Sequence, residues 1–82
     1  MTMRIAYTPA ADAELRGLTP ERRKEFDRDM AVLARAPYGC GSSPVRGERD
    51  RRDATVANIA FITYLVSEAV LTVTVVKAVR LP

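Results

Sequence analysis

Arginine is the residue type in this sequence that is best suited to chemistry. The chain has 82 residues, and 11 of its 13 basic side chains are Arg. An Arg guanidinium binds phosphate through two parallel hydrogen bonds and stacks on planar groups, whereas Lys acts as a point charge. The net charge of +3 is mildly basic. A GC-rich genome also raises the Arg count, so composition leaves phosphate binding and codon usage both open.

The basic residues of interest fall in two places. Residues 46–53 form a mixed-charge run, RGERDRRD. The other basic residues of interest are the pair Lys77 and Arg80, which follow the last apolar stretch. A mixed run is typical of a solvated loop with its own ion pairs, and the alternative is a contact with RNA or a protein partner. Lys77 and Arg80 either protect an edge strand from aggregation or bind a ligand. The basic members of the run are Arg46, Arg49, Arg51 and Arg52.

The residue types that are missing exclude several kinds of site. The chain has no His and a single Cys, Cys40, which rules out His-dependent triads, HExxH zinc sites and an internal disulfide. No run reaches 18 apolar residues, and the N-terminal residues do not resemble a secretory signal. We therefore expect one cytoplasmic domain over residues 1–82, without a metal, a cofactor or a membrane-spanning helix.

The N-terminal half predicts one strand and two helices. Residues 3–7 alternate as a strand does. Thr8-Pro9 and Thr19-Pro20 each place a capping hydroxyl before a proline, which is the signature of a helix start. Two such starts eleven residues apart predict a helical hairpin whose second helix runs to about residue 36. Its apolar stripe includes Phe26, Met30 and Leu33.

The C-terminal half predicts strands. Residues 37–45 are rich in Gly, Pro and Ser, which excludes a helix or a central strand. The β-branched and aromatic runs 54–58, 59–66 and 70–76 predict strands joined by short turns. The expected fold is an α+β domain of order β-α-α-β-β-β, with a twisted antiparallel sheet and the helical hairpin packed on one face. The expected core includes Phe26, Met30, Leu33, Ile5, Ile62 and Val73.

These features together resemble the RelE/ParE superfamily of toxins from type II toxin–antitoxin systems. The resemblance rests on the opening RIAYTPAADAELRGL, two short helices, the Pro37-Tyr-Gly exit and the basic run. It continues through the hairpin ATVANIAFITYLV and the last strand VLTVTVVKAVR. It covers nearly the whole chain and consists mainly of the order of elements.

The resemblance implies two kinds of activity. RelE-like members are ribosome-dependent mRNA endonucleases, in which a 2′-hydroxyl attacks its own phosphate and basic side chains stabilise the charge that develops. ParE-like members inhibit DNA gyrase and need no nuclease residues, and a repurposed binding member is a third reading. Either toxin implies a cognate antitoxin, a toxin–antitoxin hetero-oligomer and a cytoplasmic location.

Carried onto this sequence, the resemblance implies a set of functional residues. Arg80 is the closest match to the family's closing basic residue, and Phe61 stands where RelE-like enzymes commonly have an arginine. Leu81-Pro82 stand where the family has a C-terminal tyrosine. Cleavage weaker than that of a fully equipped relative is therefore expected. The implied catalytic residues are Arg80, Lys77, Arg52, Arg51 and Tyr64, and the implied RNA-binding residues are Arg46, Arg49 and Lys24.

Overall fold

A computed structural model describes residues 2–39 and 41–82, so Cys40 lies outside the described residues. Within these ranges the chain forms two helices and five strands. No helix in the described part of the chain is long and apolar enough to cross a membrane. The elements are β1 (Arg4–Tyr7), α1 (Pro9–Leu15), α2 (Pro20–Arg35), β2 (Ser42–Val45), β3 (Glu48–Val56), β4 (Ala60–Ser67) and β5 (Thr72–Arg80).

Both helices begin where the capping pattern predicts. The Thr8 hydroxyl accepts a hydrogen bond from the backbone N–H of Ala11, and the Thr19 hydroxyl accepts one from that of Arg22, each at 3.3 Å. A proline stands at the start of each helix, where its missing N–H removes no intrahelical bond. The predicted helical hairpin is confirmed.

The α+β class is confirmed, but the sheet is mixed rather than wholly antiparallel. The strand order is β1-β5-β4-β3-β2, and β1 runs parallel to β5 while the other neighbours are antiparallel. The helical hairpin carries the chain from β1 across one face of the sheet. Short turns then reverse each later strand, so the last of them, β5, lies beside β1 and runs in the same direction. Side-chain alternation within β1 contains no information about this direction.

The mixed-charge run forms a strand where a loop was expected. β3 begins at Glu48 and pairs with β4 over its second half, while β2 pairs along its other side as an edge strand. Pro44 is tolerated in β2 because a sheet edge does not need every backbone donor. The connecting turn has positive φ at Arg46 (52°) and Gly47 (77°), which is the type I′ geometry that suits a two-residue hairpin.

The core lies between the helices and one face of the sheet. Phe26, Met30, Ile62 and Val73 are fully buried, as predicted. Ile5 and Leu33 were also expected in the core but are only half-buried against its margin. β1 is an edge strand, and the side of α2 that carries Leu33 borders a groove, so neither position is fully enclosed.

Candidate functional site

The face of the sheet opposite the helices carries the candidate site, and we call it the open face. The register sets residues of β3, β4 and β5 side by side in rows, and successive rows on one face are about 7 Å apart. The three rows are Thr55–Phe61–Val79, Asp53–Thr63–Lys77 and Arg51–Leu65–Thr74.

A shallow groove on the open face brings several charged side chains together. Arg51 reaches it from β3, Lys77 from β5 and Arg46 from the β2–β3 turn. This arrangement follows from strand alternation, which sends every second residue of a strand to the same face. Among the described residues, the lining is basic at Arg46, Arg51 and Lys77, acidic at Glu48 and Asp53, and completed by Val45, Phe61 and Thr63.

Asp53 is a functional candidate that the sequence reasoning did not single out. It lies in the middle row, and its carboxylate accepts a hydrogen bond from the Thr63 hydroxyl at 2.7 Å. Lys77 pairs with Thr63 from the other side, so Asp53 and Lys77 flank Thr63 in the middle row and line the same groove. A carboxylate held among basic side chains can accept a proton from a hydroxyl. The sequence did not indicate Asp53 because the mixed-charge run that contains it was expected to form a solvated loop.

Arg52 and Tyr64 lie on the helix-facing side of the sheet and not in the groove. Arg52 is 8% exposed, and its guanidinium donates to the Ser42 hydroxyl at 3.0 Å and to the Arg49 carbonyl at 3.1 Å. Tyr64 is fully buried, and its hydroxyl donates to the Pro37 carbonyl at 2.6 Å. Neighbouring residues of a strand point to opposite faces, which separates Arg52 from Arg51. Both side chains therefore make contacts within the fold, on the side of the sheet away from the groove.

Arg80 also lies on the helix-facing side. Its Nε and its backbone N–H both donate to one carboxylate oxygen of Glu14 in α1, at 3.1 and 3.2 Å. The pKa of the Glu14 carboxyl is lowered, mainly by the hydrogen bond from the backbone N–H of Arg80 and next by the bond from its side chain. A Cβ at Gly17 would overlap the Arg80 guanidinium, so glycine makes room for it beside the α1–α2 connection. The structure thus separates Arg80 from Lys77, although the sequence placed them in one site.

The remaining expected RNA contacts lie outside the groove. The Arg49 guanidinium stacks over the Tyr38 ring at 4.1 Å and pairs with Glu68 at 3.3 Å. Desolvation and the hydrogen bond that Tyr38 donates to Asp50 raise the pKa of Tyr38 to about 12, so its phenol stays protonated at neutral pH. Lys24 is exposed on α2, on the helix side of the sheet. Of the eight residues implied by the resemblance, the groove brings together Arg46, Arg51 and Lys77.

We expect Tyr64→Phe to lower the free energy of unfolding by about 1–3 kcal/mol, because it leaves the Pro37 carbonyl buried without its donor. Activity per folded molecule should not change. Urea unfolding and an activity assay on the same preparation check this. A stable variant that has lost its activity would return Tyr64 to the catalytic set.

The described residues show no group of three potential metal-ligating side chains. The chemistry available to the groove is that of guanidinium, ammonium and carboxylate groups. These groups can bind a phosphate, stabilise negative charge that develops on it, and move a proton. The groove is therefore suited to a phosphodiester.

Comparison with solved structures identifies the fold. The RelBE2 toxin–antitoxin complex from Mycobacterium tuberculosis matches with a TM-score of 0.77 at 19% identity, over 99% of this chain and 100% of that chain. The chain has the RelE fold. The intact RelBE toxin–antitoxin complex from E. coli also matches this fold, with a TM-score of 0.77 at 16% identity and 98% coverage of both chains.

The RelE fold extends to a further toxin among the matches. A YoeB/ParE toxin from Agrobacterium tumefaciens has a TM-score of 0.74 at 16% identity, over 98% of this chain and 100% of that chain. No family model and no curated protein matches the sequence. The RelE/ParE-like fold expected from the sequence is confirmed.

Proposed function

We propose that this chain is the toxin of a type II toxin–antitoxin pair and that it cleaves mRNA on the ribosome without a metal. The observation that most supports this proposal is the groove on the open face of a RelE fold. Arg51, Lys77 and Asp53 line this groove. Cytoplasmic location follows from this role, because messenger RNA and ribosomes are there. Inhibition of translation on induction, relieved by coexpression of the antitoxin, is the primary test.

The proposed reaction is transfer of a phosphodiester to the neighbouring ribose oxygen. Asp53 accepts the proton of the 2′-hydroxyl as its oxygen attacks the adjacent phosphorus. The bond from phosphorus to the 5′-oxygen breaks, and Lys77 supplies the proton that this oxygen takes up. Arg51 and Lys77 stabilise the charge on the phosphoryl oxygens. The products are a 2′,3′-cyclic phosphate and a 5′-hydroxyl, and Arg46 binds the RNA backbone at the mouth of the groove.

Phe61→Arg should raise the cleavage rate by about tenfold or more, because it adds a cation to the groove at the position where RelE-like enzymes commonly have one. An arginine there also keeps a planar surface for contact with a base. The rate of cleavage of ribosome-bound message, measured under single-turnover conditions, checks this. Leu65→Arg is the matched control, since it adds the same charge four residues away on the same face. An equal gain from both variants, or none from Phe61→Arg, contradicts the expectation.

The antitoxin is proposed to bind the helix side of the molecule. A mainly apolar groove lies there between α2 and the strands β2 and β3, and its wall includes Val32, which is 61% exposed. The edge strand β2 borders the same region. An amphipathic helix in the groove or a strand added to the edge would cover these features.

Because the chain is basic, its antitoxin should be acidic, and their affinity should fall by about tenfold or more from low to high ionic strength. Val32→Asp should weaken the complex further, since it places a charge in the apolar groove. Calorimetric titration at two salt concentrations measures both effects. Affinity that does not change with salt would contradict the electrostatic part.

An inhibitor of DNA gyrase or another large target is the second candidate. Phe61, Leu65 and Val79 expose apolar surface on the open face, and this observation favours a protein partner there. The two candidates differ in which process stops first after induction. Arrest of translation supports the nuclease, whereas arrest of replication with a DNA-damage response supports the inhibitor.

A further inference from the structure

Phe61 is an exposed aromatic side chain in the central strand of the open face. It is 36% exposed, in contrast to the fully buried Phe26. Its cross-strand neighbours on this face are Thr55 and Val79, both of which are exposed and smaller than a phenyl ring. The ring is therefore accessible beside short side chains.

The charges around Phe61 favour one kind of ligand. Lys77 lies one row away, and Arg51 and Arg46 line the same groove. An aromatic ring next to basic groups on a sheet is the arrangement that binds single-stranded nucleic acid: the ring stacks on a base and the cations bind the adjoining phosphates. Asp53 and Glu48, the acidic residues of the groove, oppose a purely electrostatic attraction. Stacking on Phe61 provides binding energy that does not depend on charge.

We propose that Phe61 is a stacking platform for one base of single-stranded RNA whose phosphates contact Lys77 and Arg51. This inference rests on the proposed RNA-directed function and adds the contact that holds a base.

The first experiment compares two oligonucleotide probes at low salt. One is a short oligoadenylate, and the other is an abasic strand with the same number of ribose phosphates. Phe61→Leu should weaken oligoadenylate binding by about 5- to 150-fold, which is the effect of losing one stacked base. It should leave abasic-strand binding unchanged. Val79→Ala is the matched control, because it truncates the apolar neighbour of Phe61 on the same face.

A second experiment uses fluorescence. The chain has no Trp, so Phe61→Trp creates a single reporter at the proposed platform. Oligoadenylate should quench its emission and the abasic strand should not, since quenching needs a base against the indole. Val32→Trp places the reporter on α2, on the helix side, where neither probe should quench it.

The outcomes separate this inference from the proposed function. Binding that falls on Lys77→Ala but not on Phe61→Leu overturns the platform and leaves the RNA-directed function standing. Equal losses of oligoadenylate and abasic-strand binding on Phe61→Leu also overturn it. If the wild-type chain binds neither probe, the platform is overturned, whereas the RNA-directed function is overturned only if ribosome-bound message also stays uncleaved.

Discussion

Phe26→Ala should lower the free energy of unfolding by about 3–5 kcal/mol. Phe26 is fully buried on α2 and belongs to the same core as Met30, Ile62 and Val73. Removing its ring takes away apolar contacts and leaves a cavity that the sheet beneath cannot fill. A domain of this size has a total stability of about 5–15 kcal/mol, so the variant should be partly unfolded or close to it. Urea unfolding followed by circular dichroism measures the loss.

Val32→Ala is the control for this prediction. Val32 lies on the same helix but is 61% exposed, so its truncation should change stability by less than about 0.5 kcal/mol. Similar losses from the two variants would contradict the assignment of helix faces. So would a loss below about 1 kcal/mol for Phe26→Ala, since buried aromatic truncations cost more than that.

Lys77→Ala and Arg51→Ala should each lower the cleavage rate by about a hundredfold or more. Both side chains line the groove in which Asp53 is held by Thr63. In the proposed reaction both stabilise the charge that develops at the phosphate. The double variant should lose less than the product of the two single losses, because groups that act on one transition state are not additive. Single-turnover cleavage of ribosome-bound message gives these rates.

Two other substitutions remove the same charge at different places. Arg28→Ala removes a cation from the exposed side of α2, and it should leave the rate unchanged. Arg80→Ala should affect the rate far less than Lys77→Ala, because Arg80 is paired with Glu14 on the helix side. If Arg80→Ala abolishes cleavage and Lys77→Ala does not, the closing basic residue inferred from the resemblance is the catalytic one and the groove is misassigned.

Local signals in the sequence predicted much of the fold. Each Thr-Pro pair marks a helix start because a hydroxyl cap and a proline satisfy the same end of a helix. The apolar spacing of Phe26 and Met30 identified the buried side of α2. A short turn was also expected between the strand runs 54–58 and 59–66, and the β3–β4 turn has positive φ at Ala57 (55°) and Asn58 (56°).

Pairing between strands that are distant in the sequence explains where the observed fold differs from the predicted one. Residues 48–53 are polar and charged, so their side chains did not predict a strand, yet β3 is held by backbone bonds to its neighbours. The parallel placement of β1 beside β5 depends on the path of the whole chain. Neither feature has a short-range signature.

The candidate site was predicted in residue type more than in geometry. Arg51 and Arg52 are adjacent, and the sequence alone does not distinguish their roles. In the structure the Arg51 side chain lines the groove, whereas the Arg52 guanidinium lies over the Tyr38 ring and donates to the Ser42 hydroxyl. A bulge between Thr63 and Tyr64 in the β4–β5 register shifts the pairing just where Lys77 stands. A register shift of one residue moves a strand's side chains to the opposite face of the sheet, and the number of basic residues does not predict such a shift.

Mapping of RNA ends on purified ribosome-bound message is the most direct test of RNA cleavage by this chain. The wild-type protein should generate new 5′-hydroxyl ends opposite 2′,3′-cyclic phosphates, more slowly than a RelE-like enzyme with the full set of basic residues. The ends should disappear with the Arg51→Ala, Lys77→Ala double variant and persist with Arg28→Ala. Growth arrest by the wild-type chain with no new RNA ends would contradict the nuclease mechanism.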